Sequence, residues 1–146
     1  MKAVVIIPTT GDNKVLRAIK SVENQTYENT SYLLVVDGNK LSCCMTQRSM
    51  DCACGEPFNI CSYSMLCCLI AKHCDLEPYE FIHYAGNCHI YADHLDNVKE
   101  QIKRTPYDFP TLEILNKREN INDYVVDDFK ISNYQHHPQI KAAMRA

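Results

Sequence analysis

The stretch LSCCMTQRSMD at residues 41–51, followed after a turn at Gly55 by PFNICSYSMLCCLIAKHCDL at residues 57–76, decides the fold of this chain. Its opening part, Leu41–Thr46, predicts a short strand that leads into a polar segment. The second part is the longest apolar segment of the sequence, which predicts a helix from Phe58 to Leu76 that is buried on most sides. A strand followed by a long buried helix indicates an α+β fold.

The residues before this stretch predict a separate β-α-β unit. Ala3–Ile7 is a short β-branched run, an amphipathic helix follows it, and Tyr32–Val36 is a second buried strand. The two strands of such a unit run parallel and are joined by a right-handed crossover. We therefore predict two segments, residues 1–40 and residues 41–146, with a boundary near residue 40.

The residues after position 76 predict short strands around one helix. The predicted elements are a strand Phe81–Tyr84, an amphipathic helix His94–Arg104, and two half-buried strands, Thr111–Leu115 and Tyr124–Ile131.

Composition limits the class of protein. The 146 residues suit one domain with a short appendage, and 46% apolar with 23% charged residues is typical of a globular protein. A net charge of -3 gives no general basic face, which argues against nucleic-acid partners. The longest apolar runs, such as Met65–Ala71, are far shorter than the roughly 20 residues of a membrane span. Since the first residues also lack the apolar core of a signal peptide, we expect a cytoplasmic protein.

All nine cysteines lie between positions 43 and 88. An odd count with adjacent pairs, and no export signal, indicates reduced thiols. Zinc binding is the alternative, but Cys52-x-Cys54 alone is a weak ligand pattern. The other thiols fall within apolar segments, where small buried hydrophobic residues are the better interpretation, so we expect no metal site.

Three short patterns could carry chemistry, and each has a plainer interpretation. Arg48 and Ser49 could hold a phosphate, or lie solvated on the surface. Asn59 near the helix start could cap the helix, or read another amide such as a pyrimidine edge. His89 and Tyr91, two apart on an extended segment, share a face and could reach a sugar hydroxyl, or be half-exposed strand residues.

These patterns together resemble one family. Residues 41–146 are similar to the C-terminal part of the thymidylate synthases, through the strings LSCCMTQRSMD (41–51), GEPFNICSYSMLCCLIAKHCDL (55–76), GNCHIYADH (86–94), KEQIKRTPYDFPTLEI (99–114) and DYVVDDFKISNYQHHPQIKAAM (123–144). The fold that this resemblance implies is a partial thymidylate synthase-type sheet with a long buried helix. The implied reaction is reductive methylation of dUMP to dTMP with 5,10-methylenetetrahydrofolate.

The resemblance implies a set of site residues and a homodimer. It places the phosphate on Arg48 and Ser49, the uracil edge on Asn59 and the deoxyribose on His89 and Tyr91. Asn rather than Asp at position 59 favours uracil over cytosine. The full implied dUMP-binding set is Arg48, Ser49, Met50, Asp51, Asn59, His89, Ile90 and Tyr91, and the implied folate-binding set is Asp51, Gly55 and Arg145. Arg145 stands where the family's tail usually carries a small apolar residue, so its charge could hinder closure over the folate.

The family's nucleophile is absent at the expected place. The reaction starts with a thiolate that attacks C6 of dUMP. Counting back from Arg48 by the family's spacing lands at Tyr27-Glu28, and no cysteine precedes Cys43. Cys43 lies too close to Arg48 in sequence to take over that position. We therefore assign no catalytic residue and expect a synthase-like protein that is inactive alone, or a non-catalytic dUMP-binding fragment.

Residues 1–38 resemble a different family, the family 2-type glycosyltransferases of the GT-A fold. The strings are VVIIPTTGDNKVLRAIKSVENQTY (4–27) and YLLVVDG (32–38), with Asp37 at the place of a nucleotide-sugar ligand. Since a V-x-D-G turn is common to both families, we hypothesise that two genes were joined at Val36-Asp37-Gly38. A glycosyltransferase remnant is thus a further alternative.

Overall fold

The computed structural model describes residues 30–143, and these begin with an antiparallel hairpin. Strand β1 (Thr30–Asp37) pairs with strand β2 (Lys40–Asp51) in continuous register from Thr30↔Gln47 to Asp37↔Lys40. Gly38, with φ 60, opens the two-residue turn. A glycine with positive φ at the first central position is the requirement of a type II′ hairpin turn, whose twist suits the flanking strands.

The second connection of the sheet is a parallel crossover. Strand β3 (Glu77–His89) pairs in parallel with β2, which gives a three-stranded mixed sheet in the order β1-β2-β3. The helix α1 (Gly55–His73) bridges the two parallel strands, as parallel pairing requires. Asp75, with φ 57, turns the chain out of the helix, and the Leu76 N–H donates to the Ala71 carbonyl.

The hydrophobic core lies between α1 and one face of this sheet. Its buried members are Leu34, Leu41, Cys43, Cys67, Ile70, Ala71 and Cys74. On β2, Leu41, Cys43 and Met45 are buried at every second position because alternate side chains of a strand point to the same face. The core is therefore a single layer of helix on sheet.

The helix differs from its prediction in burial. A helix was correctly predicted here, but it begins at Gly55 and ends at His73 rather than Phe58–Leu76. Only Cys67, Ile70 and Ala71 of α1 are buried, whereas Phe58 is 69% exposed. The prediction of a helix buried on most sides is thus wrong for the part of the chain that the structure describes. One stripe of α1 packs against the sheet, and the helix also carries exposed apolar residues outside this stripe.

The rest of the described chain forms short elements and a second small sheet. These are the 3-10 turn η1 (Ala92–His94), the helix α2 (Leu95–Gln101), the strand β4 (Thr111–Ile114), the turns η2 (Ile121–Asp123) and η3 (Val126–Asp128), and the strand β5 (Phe129–Ser132). Strands β4 and β5 pair antiparallel. Residues 30–143 thus form a mixed α+β structure with small sheets, consistent with a partial thymidylate synthase-type fold.

The strand predicted at Tyr124–Ile131 is only partly formed. The buried Asp128 carboxylate accepts from the Val125 N–H at 3.0 Å and from Arg118 at 2.7 and 3.0 Å. These bonds close the η3 turn, so the strand begins only at Phe129. A buried carboxylate must satisfy its acceptor capacity, and here it does so by bending the backbone.

The predicted N-terminal segment is only partly described. Its second strand, predicted at Tyr32–Val36, is confirmed as β1, whereas Ala3–Ile7 and the helix after it lie outside the described residues. The hairpin puts β1 in the same sheet as β2, and the boundary near residue 40 stays a prediction. Within residues 30–143, none of the helices has the length and apolar character needed to cross a membrane.

Candidate functional site

Most of the candidate site residues lie where β2 and β3 end. The parallel register pairs Ser49 with Asn87 and Asp51 with His89. Both strands run further than predicted, since backbone pairing continues through the polar residues 47–51. Because the carboxyl ends of parallel strands meet at one edge of the sheet, the Arg48–Asp51 segment and the His89–Tyr91 segment are neighbours although 41 positions separate Arg48 from His89 in sequence.

Arg48 is an exposed cation at this edge. Among residues 30–143 no carboxylate lies within salt-bridge distance of its guanidinium. Gly86 on β3 lies beside it, and a β-carbon there would stand 3.1 Å from the Arg48 carbonyl oxygen. Ser49 is also exposed, whereas Met50 is only 5% exposed. An exposed guanidinium without an acidic partner in the described chain is suited to an anionic ligand.

Asn59 belongs to a small polar network between α1 and the sheet. Its Nδ2 donates to Gln47 Oε1 at 3.1 Å, and His83 Nε2 lies 3.0 Å from the same oxygen. Because α1 begins at Gly55, Asn59 lies in its second turn, and the interpretation of Asn59 as a helix cap is wrong. One N–H of the amide binds Gln47, which leaves the other N–H and the carbonyl oxygen for a second amide-like partner.

The rings of His89 and Tyr91 are in contact. Their centroids are 5.2 Å apart and the rings meet edge to face, which confirms that the two side chains share a face. Tyr91 also contacts His94, with centroids 5.9 Å apart. Ile90, between them, is 39% exposed. The imidazole and the phenol can together present polar atoms to one ligand.

The loop from Asp51 to Gly55 joins β2 to α1. The Ala53 N–H donates to Asp51 Oδ1 at 3.0 Å, which fixes the carboxylate within the turn. Cys54 Sγ lies 4.0 Å from Nδ1 of His94, and His94 Nε2 lies 2.8 Å from the Ala143 carbonyl oxygen. The loop, η1 and the end of the described chain therefore meet at one place. Arg145 lies outside the described residues.

The buried thiols are poor nucleophiles. None of the nine cysteines, all of which lie within residues 30–143, forms a disulfide. Burial raises the pKa of Cys43 to about 12 and that of Cys67 to about 11, with the neighbouring thiols adding to the effect. Burial also raises the pKa of Cys52, helped by Glu56. Since the thiolate is the reactive form, Cys43 is not suited to the attack on dUMP.

Three residues of this region were missed by sequence reasoning. Gln47 and His83 orient Asn59, and His94 connects the Asp51 loop to the tail. Gln47 stands next to Arg48, just beyond the predicted end of the strand at Thr46, so the strand pattern does not predict the direction of its side chain. His94 is only 1% exposed, and a histidine at a predicted helix start carries no sequence signal of burial.

The comparisons with known proteins agree on one family. A profile of the family described as Thymidylate synthase matches residues 22–146. The chain is 56% identical over 104 residues to a thymidylate synthase of Francisella philomiragia, covering 71% of this chain and 38% of that protein. It is 51% identical over 107 residues to a thymidylate synthase of Francisella tularensis, covering 73% of this chain and 39% of that protein. It is also 50% identical over 112 residues to a bifunctional dihydrofolate reductase-thymidylate synthase of Plasmodium chabaudi, covering 77% of this chain and 19% of that protein.

These matches also bear on residues 1–38. The profile begins at residue 22 and so includes residues 22–38, which belong to the segment predicted to be a glycosyltransferase remnant. The comparisons give no support to a glycosyltransferase part. Asp37, the residue predicted to bind a nucleotide sugar, is exposed at the end of β1. The chain spans about two fifths of the length of the two Francisella synthases. Because the profile covers most of the sequence, this chain belongs to the thymidylate synthase family.

Proposed function

We propose that this chain provides the dUMP-binding surface of a thymidylate synthase in the cytoplasm, and that it does not transfer the methyl group by itself. The proposal is supported by the parallel pairing of β2 and β3, which brings the Arg48–Asp51 segment beside His89, and by the hydrogen bond from Asn59 of α1 to Gln47 of β2. Residues that are distant in the sequence therefore become neighbours in the fold, as a shared binding surface requires.

The phosphate end of the ligand would lie at Arg48 and Ser49. The exposed guanidinium offers several donors in a planar fork that matches phosphate oxygens, and the serine hydroxyl adds one more. Met50, the next residue of β2, is 5% exposed.

The base end would be read by Asn59. Uracil presents an N3–H donor beside the O4 acceptor, and the amide that remains after the bond to Gln47 presents the complementary pair. Gln47 acts here as a positioning residue, because its oxygen fixes the amide plane. An aspartate at position 59 would lack the N–H and would favour cytosine.

The sugar and the folate would each be held by a different group of residues. His89 and Tyr91 face the deoxyribose 3′-hydroxyl with Ile90 between them, and their ring contact limits the rotation of both. The co-substrate 5,10-methylenetetrahydrofolate would meet the Asp51 carboxylate, with Gly55 where its loop passes. Arg145 in the tail would lie against the folate and slow closure.

Catalysis by this chain alone would lack a nucleophile. Residues 1–42 contain no cysteine, and the pKa of the buried Cys43 is raised to about 12. We therefore expect that neither residues 1–42 nor Cys43 supplies the thiolate with which the family reaction starts.

A second copy of the chain would cover the open face of the sheet. Ile82 and Tyr84 on β3 are 37% and 58% exposed, and they point away from the face that packs on α1. We expect light scattering to give the mass of a homodimer, and a Tyr84→Glu variant to give that of a monomer. A monomeric parent protein would contradict this part of the proposal.

The binding test is calorimetric titration with dUMP. Arg48→Ala should weaken binding by about 2 kcal/mol, roughly 30-fold, because it removes a charge-assisted bond. Lys130→Ala, which removes an exposed cation on β5, is the matched control and should bind like the parent. Asn59→Asp should reverse the preference between dUMP and dCMP. Equal binding of dUMP by the Arg48 variant and the parent would contradict the proposal.

The activity test is tritium release from dUMP labelled at C5. We expect none from this chain alone with dUMP and folate. Release that disappears in Arg48→Ala would show that the chain has its own nucleophile and would overturn the second half of the proposal.

A further inference from the structure

Three potential metal ligands meet beside the candidate nucleotide site. The carboxylate of Asp51, the thiol of Cys54 and the imidazole of His94 each place one ligand atom within 4.8 Å of the other two. Asp51 and Cys54 are half-buried, and His94 is 1% exposed. Asp51 ends β2, Cys54 precedes α1 and His94 belongs to η1, so three separate elements converge on this place.

The imidazole of His94 has the orientation of a metal ligand. Its Nε2 lies 2.8 Å from the Ala143 carbonyl oxygen, which can only accept, so this nitrogen carries the proton. Its Nδ1 is then the unprotonated nitrogen, and it faces Cys54 Sγ at 4.0 Å. A histidine held by a backbone carbonyl on one nitrogen, with the other directed at a thiol, is the usual outer-shell arrangement of a zinc ligand.

We propose that Asp51, Cys54 and His94 bind a Zn²⁺ ion as three protein ligands, with a fourth position open to water. A thiolate, an imidazole and a carboxylate form a donor set typical of zinc. Tetrahedral zinc with its usual bond lengths needs sulfur and nitrogen about 3.6 Å apart, so the 4.0 Å between Cys54 Sγ and His94 Nδ1 has to shorten only slightly. On binding, the thiol releases its proton to the solvent and the metal takes its place.

Of the three proposed metal ligands, only Asp51 also belongs to the proposed nucleotide-binding and folate-binding residues. Its test is therefore made without dUMP or folate, so that a failure of the proposed function leaves the result intact. Cobalt(II) is the probe, because thiolate ligation gives it a charge-transfer band in the near ultraviolet and tetrahedral geometry gives it intense visible bands. The protein is kept reduced throughout the titration.

The expected result is one equivalent of Co²⁺ with a thiolate band, which Zn²⁺ displaces. Cys54→Ser and His94→Gln should each weaken metal binding by about tenfold or more and remove or shift the visible bands. Asp51→Asn should weaken binding while the thiolate band remains. Cys61→Ser, which removes an exposed thiol from α1, is the matched control and should leave the titration unchanged.

Two outcomes would overturn the proposal. One is a reduced parent protein that shows no thiolate band with Co²⁺. The other is a band that persists in Cys54→Ser but disappears in a Cys52→Ser/Cys88→Ser double variant, since the metal would then lie on different thiols. His94 is buried, so far-ultraviolet circular dichroism must show that His94→Gln is folded. If that variant is unfolded, the Cys54→Ser result alone decides.

Discussion

Removing the side chain of Ile70 should be among the most destabilising changes in this protein. Ile70 lies on the sheet-facing stripe of α1 and is 2% exposed, in contact with a core that includes Leu41 and Cys43. Ile70→Ala removes three buried carbon atoms and leaves a cavity, which costs about 3 kcal/mol. Ile60→Ala on the same helix removes the same atoms from a side chain that is 41% exposed, so its cost should be roughly 1 kcal/mol.

Urea unfolding followed by circular dichroism measures both free energies. With a slope of about 1.5 kcal/mol per M, the Ile70 variant should lose about 2 M from its midpoint, and the Ile60 variant less than about 1 M. An Ile70 variant that is already unfolded without urea would agree with the larger loss. Equal midpoints for the two variants would refute the reasoning, because they would show that the helix is not anchored to the sheet through this stripe.

Three further predictions concern acid stability, thiol reactivity and the hairpin turn. Hydrogen bonds from Arg118 hold the pKa of Asp128 well below its usual range, so its contribution to stability is complete above about pH 4 and is lost as the pH falls. The urea midpoints of the parent and Asp128→Asn should therefore converge in acid, and a constant gap would contradict this. At neutral pH, alkylation mapped by mass spectrometry should label the exposed Cys61 well before Cys43, because burial raises the pKa of Cys43 to about 12. Equal labelling rates would contradict the placement of Cys43 in the core. Gly38→Ala should lower the unfolding free energy by about 1 kcal/mol, because an alanine is strained at the backbone φ of 60. A β-carbon there would meet nothing within 4 Å, so the strain lies in the backbone alone. An unchanged urea midpoint would contradict this prediction.

The existence of most elements was predictable because local patterns carry that information. Leu41–Thr46 and Tyr32–Val36 were correctly predicted as strands, and the segment around Met65 as a helix. The limits of the strands were not predictable, since β2 continues to Asp51 through polar residues whose backbone pairs with β3. Where a strand ends depends on the strand it pairs with, and the residues of that partner lie far away in the sequence.

The sequence by itself determined the α+β class and, through its resemblance, the family and the identity of Arg48, Asn59, His89 and Tyr91 as candidates. Only the tertiary structure decided that β2 and β3 run parallel, and therefore that residues on both strands share one edge of the sheet. It also decided that Gln47 orients Asn59, and that His94 lies within reach of Cys54. The reason is physical: helix and strand patterns arise from neighbours along the chain, whereas a binding site arises from contacts between segments that the chain brings together only when it folds.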